Sequence, residues 1–195
     1  MKRSAEVERK TTETNIQVTL NLDGRGTSSL DTGIPFLDHM LELMAVHGFL
    51  DLTVKAKGDI EVDFHHTVED LGICLGQAIK EALGDKKAIK RYGQATIPMD
   101  EALATVVLDI SNRPYLTYNV PLKTRMTGRF DVGILSEFFR ALTNHAGLSM
   151  HVKLESGEDP HHSAEAIFKA FAKALDQASQ KEERLTEVPS SKGIL

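Results

Sequence analysis

The feature of this chain that most constrains its fold is an internal repeat. Residues 63–72 are DFHHTVEDLG and residues 159–168 are DPHHSAEAIF, so His-His-x-x-Glu returns after 96 residues. Further positions repeat at a spacing of 98 residues, among them His47 with His145. Repeats of this kind indicate duplication of one structural unit, so we expect two halves with the same architecture.

Each half is interpreted as a β-β-α-β-β-α unit. In the first half, alternating apolar residues predict strands at 15–24, 50–59 and 60–64. Helical spacing of apolar residues predicts helices at 35–48 and 65–84, the first with Pro in its opening turn and Gly at its end. The same patterns in the second half predict strands at 101–111 and 148–159 and helices at 133–147 and 161–178.

Amphipathic helices of this kind cover one face of a sheet, which predicts an α+β fold made of two-layer sheet/helix sandwiches. The methionines and phenylalanines of the apolar stripes are assigned to the core, not to a cofactor site. We expect one compact domain divided into a first half at 1–88, a second half at 89–180 and a polar tail at 181–195.

Composition narrows the class of protein. The chain has 195 residues, 41% of them hydrophobic, and a net charge of -5, which argues against a nucleic-acid binder. Cys74 is the only cysteine, so no intrachain disulfide can form. The opening sequence has no apolar signal region, and no apolar run reaches the roughly 20 residues that cross a bilayer. We expect a cytoplasmic protein with no nucleic-acid or membrane partner.

The repeated histidines predict metal binding. Residues four apart on a helix share a face, so His65 with Glu69 and His161 with Glu165 can each hold one metal. The two neighbouring histidines of each motif point about 100° apart, which predicts two metals served by each helix. The remaining candidates are the other histidine of each motif, a nearby helical histidine and its counterpart 98 residues later: His66, His162, His39 and Glu137. Imidazole with carboxylate favours Zn, Mn, Fe, Co or Ni over Ca or Mg.

Three weaker features are candidates for an anion site. Arg91 and Arg113 could each hold a phosphate with two hydrogen bonds, and the sequence PSSKG at 189–193 offers hydroxyls, backbone N–H groups and a lysine. Taken alone, each arginine fits a surface ion pair better, and the tail fits an unstructured extension. Glu13, in TTETN, carries no signal by itself. The acids that open DEAL at 100–103 could be catalytic, but a position near a turn at the start of a strand is the simpler interpretation.

Five ordered motifs together resemble the imidazoleglycerol-phosphate dehydratase family: GIPFLDHML, HHTVED, NRPYL, HHSAEAIFKAFAKAL and PSSKG. The resemblance extends from Glu6 to the C-terminus, and it is to the stand-alone form of the enzyme, so we expect no phosphatase domain. It implies a hydro-lyase of histidine biosynthesis that converts D-erythro-imidazole glycerol phosphate to imidazole acetol phosphate. It also implies two Mn²⁺ per subunit and a homo-oligomer, a hollow 24-mer with metals between subunits.

The resemblance assigns roles residue by residue. The implied metal ligands are His39, His65, His66, Glu69, Glu137, His161, His162 and Glu165, with the family often carrying His at the position of Glu137. The implied catalytic residues are Glu13, His47, Glu69 and Glu165. The implied substrate-binding residues are Glu13, His39, His47, His65, Glu69, Arg91, Arg113, His161, Lys169, Ser190, Ser191 and Lys192.

The chemistry of the family suggests why the motif occurs twice. The substrate is an imidazole with two ring nitrogens, and a metal on each would stabilise a metal-bound imidazolate that expels hydroxide from the adjacent carbon. A carboxylate such as Glu13 would then remove the neighbouring proton, and the resulting enol would tautomerise.

Two other functions use the same ligand types. A dinuclear phosphate-ester hydrolase would hold its metals about 3.5–4 Å apart and would be expected to bridge them with Asp. Here Asp70 has no acidic counterpart, because the repeat places Ala166 there. A metal-storage protein would need neither the arginines nor the Ser-Ser-Lys tail.

Overall fold

The computed structural model describes residues 3–195, so Met1 and Lys2 of the predicted first half lie outside the described residues. The first half consists of β1 (Ser4–Lys10), β2 (Thr14–Asn21), β3 (Ser28–Asp31), α1 (Pro35–Gly48), β4 (Asp51–Gly58) and α2 (His65–Leu83). The second half consists of β5 (Tyr92–Met99), β6 (Ala102–Asp109), β7 (Tyr115–Asn119), the short hairpin β8 (Met126–Thr127) and β9 (Phe130–Asp131), a 3-10 turn (Val132–Ile134), α3 (Leu135–Ala146), β10 (Ser149–Ser156) and α4 (Pro160–Ser179).

The two halves have the same sheet topology. The strand orders are β1-β2-β4-β3 and β5-β6-β10-β7, and in both sheets the last pair is parallel. Val18 pairs with Val54 in the first sheet, and Val106 pairs with Val152 at the equivalent position of the second. The duplicated α+β fold is therefore confirmed.

One predicted strand is wrong in position. Residues 60–64 do not join the sheet, because a turn forms there in which the N–H of Val62 donates to the carbonyl of Asp59 at 2.8 Å. The fourth strand of the first sheet is instead β3, a short polar segment on the edge beside β4. Its side chains are mostly exposed, so it carries no apolar alternation that sequence reasoning could detect.

The core lies between each sheet and its helices and continues between the halves. α2 packs on β1 and β2 and against α3, while α4 packs on β5 and β6 and against α1. The residues assigned to the core are confirmed there, since Met40, Met44, Phe138 and Phe139 are fully buried. α2 approaches α3 closely at Gly72, where a Cβ atom would lie 2.5 Å from the carbonyl oxygen of Phe138.

The repeated motifs open the two long helices. The N–H of His65 donates to Asp63 at 2.7 Å, and the N–H of His161 donates to Asp159 at the same distance. Each aspartate satisfies a free N–H of a first helical turn, which fixes where the helix begins. Among the described residues, no helix combines the length and apolar character that a bilayer crossing needs.

A carboxylate at the start of β4 stabilises the loop between β2 and β3 in a pH-dependent way. The Asp51 carboxylate accepts the N–H of Arg25 at 2.9 Å and both the hydroxyl and the N–H of Thr27 at 2.7 and 3.2 Å, and these bonds hold its pKa well below the usual range. Asp51→Asn is expected to lower the free energy of unfolding at pH 7, because the hydrogen bonds to a charged carboxylate are weakened. The loss is limited to about 1 kcal/mol, since solvent screens charges at this accessible site.

The contribution of Asp51 is present above the unfolded carboxyl pKa of about 4 and is lost as pH falls through the lower folded-state value. Thermal unfolding of both proteins between pH 7 and pH 2 checks this. The two melting temperatures should converge in acid, and a difference that stays constant with pH would contradict the assignment.

Candidate metal and substrate site

The tightest group of potential metal ligands joins the two halves of the chain. His39 from α1 places Nε2 2.8 Å from Oε1 of Glu165, and His161 places Nε2 3.1 Å from the same oxygen. One ligand atom from each residue lies within 4.8 Å of the others. Two imidazole nitrogens and a carboxylate oxygen suit a first-row transition metal, so these residues fit a metal ion.

The local charges keep the Glu165 carboxylate ionised. Burial alone would raise the pKa of Glu165, but hydrogen bonds from Lys169 and His39 outweigh it and lower the pKa to about 2. Lys169 lies one helical turn away and places Nζ 2.6 Å from Oε2 of Glu165. The structure therefore places Lys169 as the ion-pair partner of Glu165, with its side chain largely buried.

The equivalent group of the first half is more open. His65 Nε2 lies 3.5 Å from Oε2 of Glu69, and both side chains are half exposed. His65 lines a cleft together with Glu137 from α3, whose carboxylate is 3.2 Å from Nε of Arg140. The structure thus brings Glu137 to the first motif, as it brings His39 to the second, but without the same close contact.

The second histidine of each motif is held from behind by a carboxylate. His66 Nδ1 lies 3.0 Å from Oδ2 of Asp59, and His162 Nδ1 lies 2.8 Å from Oε2 of Glu101. These hydrogen bonds raise the pKa of both histidines. With Nδ1 engaged, Nε2 is the ring nitrogen left to bind a metal, which is the arrangement that outer carboxylates impose on ligating histidines.

The sequence analysis placed Glu101 near a turn, which the structure confirms, but it predicted neither the contact of Glu101 with His162 nor that of Asp59 with His66. Glu101 could have been found, because aligned strand pairs place it 88 residues after Glu13 at the same turn of the hairpin. Asp59 offers no such signal, since Gly157 stands at its repeat position.

Two further candidates lie near the histidines. Glu13 occupies the β1–β2 turn, with Oε2 3.8 Å from Nδ1 of His66 and its side chain half exposed. His47 lies in the last turn of α1, where burial and then the nearby charges of Lys169 and Lys173 lower its pKa. A histidine with a lowered pKa is neutral at pH 7.

The structure brings the predicted anion-binding residues together with the tail. Arg91 donates from Nε and Nη2 to Asp109 at 2.7 and 3.1 Å and from Nη1 to the carbonyl of Pro189 at 2.8 Å, so its guanidinium is engaged. Arg113 is exposed, with Nη2 3.6 Å from Asp109. The residues that follow Pro189 are Ser190, Ser191 and Lys192.

The arginine cluster (Arg91 and Arg113) is far from the metal group of the same chain (His39, His161 and Glu165). The N–H of Arg91 donates to the carbonyl of Ala178, near the end of α4, whereas His161 lies in its first turn. His161 and Ala178 are 17 positions apart on the helix, which corresponds to about 25 Å at 1.5 Å per residue. The chain therefore presents these two groups at opposite ends of one helix.

The chain is similar to known proteins in both sequence and structure. Residues 32–175 match the family model described as imidazoleglycerol-phosphate dehydratase. Proteins of that name from Pelobacter propionicus and Geobacter sulfurreducens are 54% and 56% identical over 195 residues, with all of both chains covered. The crystal structure of imidazoleglycerol-phosphate dehydratase from Staphylococcus aureus is 42% identical in sequence and superposes with a TM-score of 0.83. The superposition covers 92% of this chain and 99% of that one. The structure from Pyrococcus furiosus is 37% identical with a TM-score of 0.84, covering 97% and 100%.

Proposed function

Since the chain belongs to the imidazoleglycerol-phosphate dehydratase family and is thus a hydro-lyase of histidine biosynthesis, we propose that it dehydrates D-erythro-imidazole glycerol phosphate through a metal-bound imidazolate. The observation that carries this proposal is the group of His39, His161 and Glu165, whose ligand atoms converge from the two halves. The cytoplasm is the compartment that a biosynthetic role of this kind favours.

We assign two Mn²⁺ ions to the repeated motifs. One would be held by His39, His161 and Glu165, and the other by His65, Glu69 and Glu137, with His66 and His162 as further ligands. When bound, the metals supply positive charge to the substrate imidazole, which favours its deprotonation and the departure of hydroxide.

The proposed roles of the protein groups follow from their surroundings. Asp59 and Glu101 orient His66 and His162 by holding Nδ1. Glu13, at an open turn, is assigned the removal of the proton from the carbon next to the one that loses hydroxide. His47 is assigned a neutral contact to the substrate.

The phosphate group is assigned to the arginine cluster and the tail. Arg113 and Lys192 carry the available charge, and Ser190 and Ser191 offer hydroxyls. Arg91 holds the tail at Pro189, next to these serines. A substrate of one ring, three carbons and one phosphate is far shorter than the distance between this cluster and the metal group of the same chain. We therefore propose a homo-oligomer, a 24-mer as in the family, in which one copy supplies the phosphate site of another.

Turnover and assembly can be tested together. Protein stripped of metal by a chelator is expected to be inactive and small, and added Mn²⁺ is expected to restore imidazole acetol phosphate formation and a large particle by light scattering. The matched control is Mg²⁺ at the same concentration, which this ligand set does not favour. Release of inorganic phosphate without acetol phosphate would instead support the hydrolase, and binding of Mn²⁺ without turnover would support metal storage.

A further inference from the structure

The two hairpin turns beside the metal ligands are held on their helices by different hydrogen bonds. In the second half, the turn residue Glu101 itself makes these hydrogen bonds. Its Oε1 accepts the N–H groups of Asp159 and Glu158 at 2.9 and 3.3 Å, and its Oε2 contacts His162. The carboxylate of this glutamate is therefore used up in holding the start of α4.

In the first half, the hydrogen bonds that hold the hairpin are accepted by a residue of the helix, Asp70. Oδ1 of Asp70 accepts the Nε–H of Arg9 at 3.0 Å, and Oδ2 accepts the hydroxyl of Thr14 at 2.5 Å. Thr14 and Asp70 are buried. Asp70 follows the candidate ligand Glu69, so its side chain points about 100° away, towards the β1–β2 hairpin on which α2 packs.

The hydrogen-bond network around Asp70 extends to the backbone of the turn that carries Glu13. Thr14 Oγ1 lies 3.2 Å from Oγ1 of Thr11, which in turn accepts the N–H groups of Glu13 and Thr14 at 3.1 and 2.9 Å. The Glu13 carboxylate itself receives no hydrogen bond from residues 3–195, and only His66 approaches it. The turn is thus fixed while its glutamate stays free.

The second half, in which Glu101 holds the turn, lacks this network. The aligned strands place Ile97 and Ala102 at the positions of Arg9 and Thr14, and the motifs place Ala166 at the position of Asp70. The second half thus has apolar side chains at all three positions, of which Ala102 and Ala166 are buried. The polar network is particular to the half whose turn glutamate must remain available.

We propose that Asp70, held by Arg9 and Thr14, is a positioning residue that fixes the Glu13 turn on α2 and leaves the Glu13 carboxylate free to take the substrate proton. The inference rests on the proposed function, since it requires Glu13 to act on the substrate. It assigns the duplicated turns separate tasks: Glu13 serves chemistry and Glu101 serves structure.

Steady-state kinetics of Asp70→Asn test the proposal. We expect kcat to fall by about 10- to 100-fold, because a displacement of about 1 Å in a reacting group has an effect of this size. KM and Mn²⁺ content are expected to change little, since the phosphate and metal groups are untouched. Glu81→Gln, which removes an exposed carboxylate from the same helix, is the control and should retain full kcat.

The route through Glu13 is tested by combining substitutions. In a Glu13→Gln background, Asp70→Asn should lower kcat by less than about twofold, because effects that share one route are not additive. If the two losses multiply, Asp70 acts through another group and the proposal is overturned.

A triple variant separates positioning from folding. Arg9→Ile with Thr14→Ala and Asp70→Ala copies the second half, and replacing a whole polar network by apolar groups is often close to neutral for stability. We expect a folded, metal-binding assembly with the same loss of kcat. Full kcat in this variant or in Asp70→Asn, with an active unmodified chain, overturns the positioning role alone. Absence of turnover in the unmodified chain overturns the proposed function and this role with it.

Discussion

Replacing Glu165 by Gln is expected to lower kcat/KM for dehydration by on the order of 10³-fold, because even outer partners of a metal ligand contribute about 10- to 100-fold. The carboxylate is the shared contact of His39 and His161 and balances the charge of Lys169. The amide would bind a metal more weakly and would leave the buried ammonium group unpaired. Mn²⁺ content, measured alongside the rate, should fall as well.

The matched control is Asp176→Asn, which removes a carboxylate from the same helix near its far end. That variant should keep its metal and its rate. Glu69→Gln, the equivalent change in the first motif, should also abolish turnover if both metals are required. A near-normal rate in Glu165→Gln with Mn²⁺ retained would remove the central observation on which the proposed chemistry rests.

The fold could be predicted to the extent that one face of each element is buried. β2 and β6 bury every second residue, and the long helices carry apolar stripes, so period alone identified them. β1 and β3 lie at sheet edges with most side chains exposed, and period therefore gave no clear signal. The segment at 60–64 alternates apolar and polar residues but is not a strand. Its conformation is set by the turn at Asp59 and not by the local pattern.

The contacts of the candidate site could likewise be predicted only where they follow from helical spacing or from the repeat. The proximity of His161 to Glu165 follows from helical spacing, and the repeat predicts that His39 and Glu137 occupy equivalent positions. The carboxylates of Asp59 and Glu101 reach their histidines from loops, and no spacing rule within one element predicts such contacts.

The separation of the proposed metal and phosphate sites also needed the structure, because the sequence does not reveal that Arg91 and Pro189 meet beside the last turn of α4. The hydrogen bonds from Arg91 to Ala178 and Pro189 provide that information. A site divided in this way makes a prediction about mixtures of inactive proteins, which a site contained within one chain does not.

His161→Ala removes a proposed metal ligand, and Arg113→Ala with Lys192→Ala removes the charges of the proposed phosphate site. Each variant alone is expected to lose at least about 10²-fold in kcat/KM, a loss typical of removing one essential charged or ligating group. Mixed, stripped of metal and reassembled with Mn²⁺, the two should regain activity. If subunits combine at random and each site draws on two copies, roughly a quarter of the sites carry both intact groups.

The control mixes His161→Ala with Glu165→Gln, two changes in the same group of one chain. No arrangement of those subunits restores that group, so the mixture should stay inactive whatever the assembly. Recovery confined to the first mixture requires that the metal group of one copy works with the arginine cluster of another, as the length of α4 implies. No recovery in the first mixture, with intact mixed particles present, would mean that each chain completes its own site and would overturn the shared arrangement.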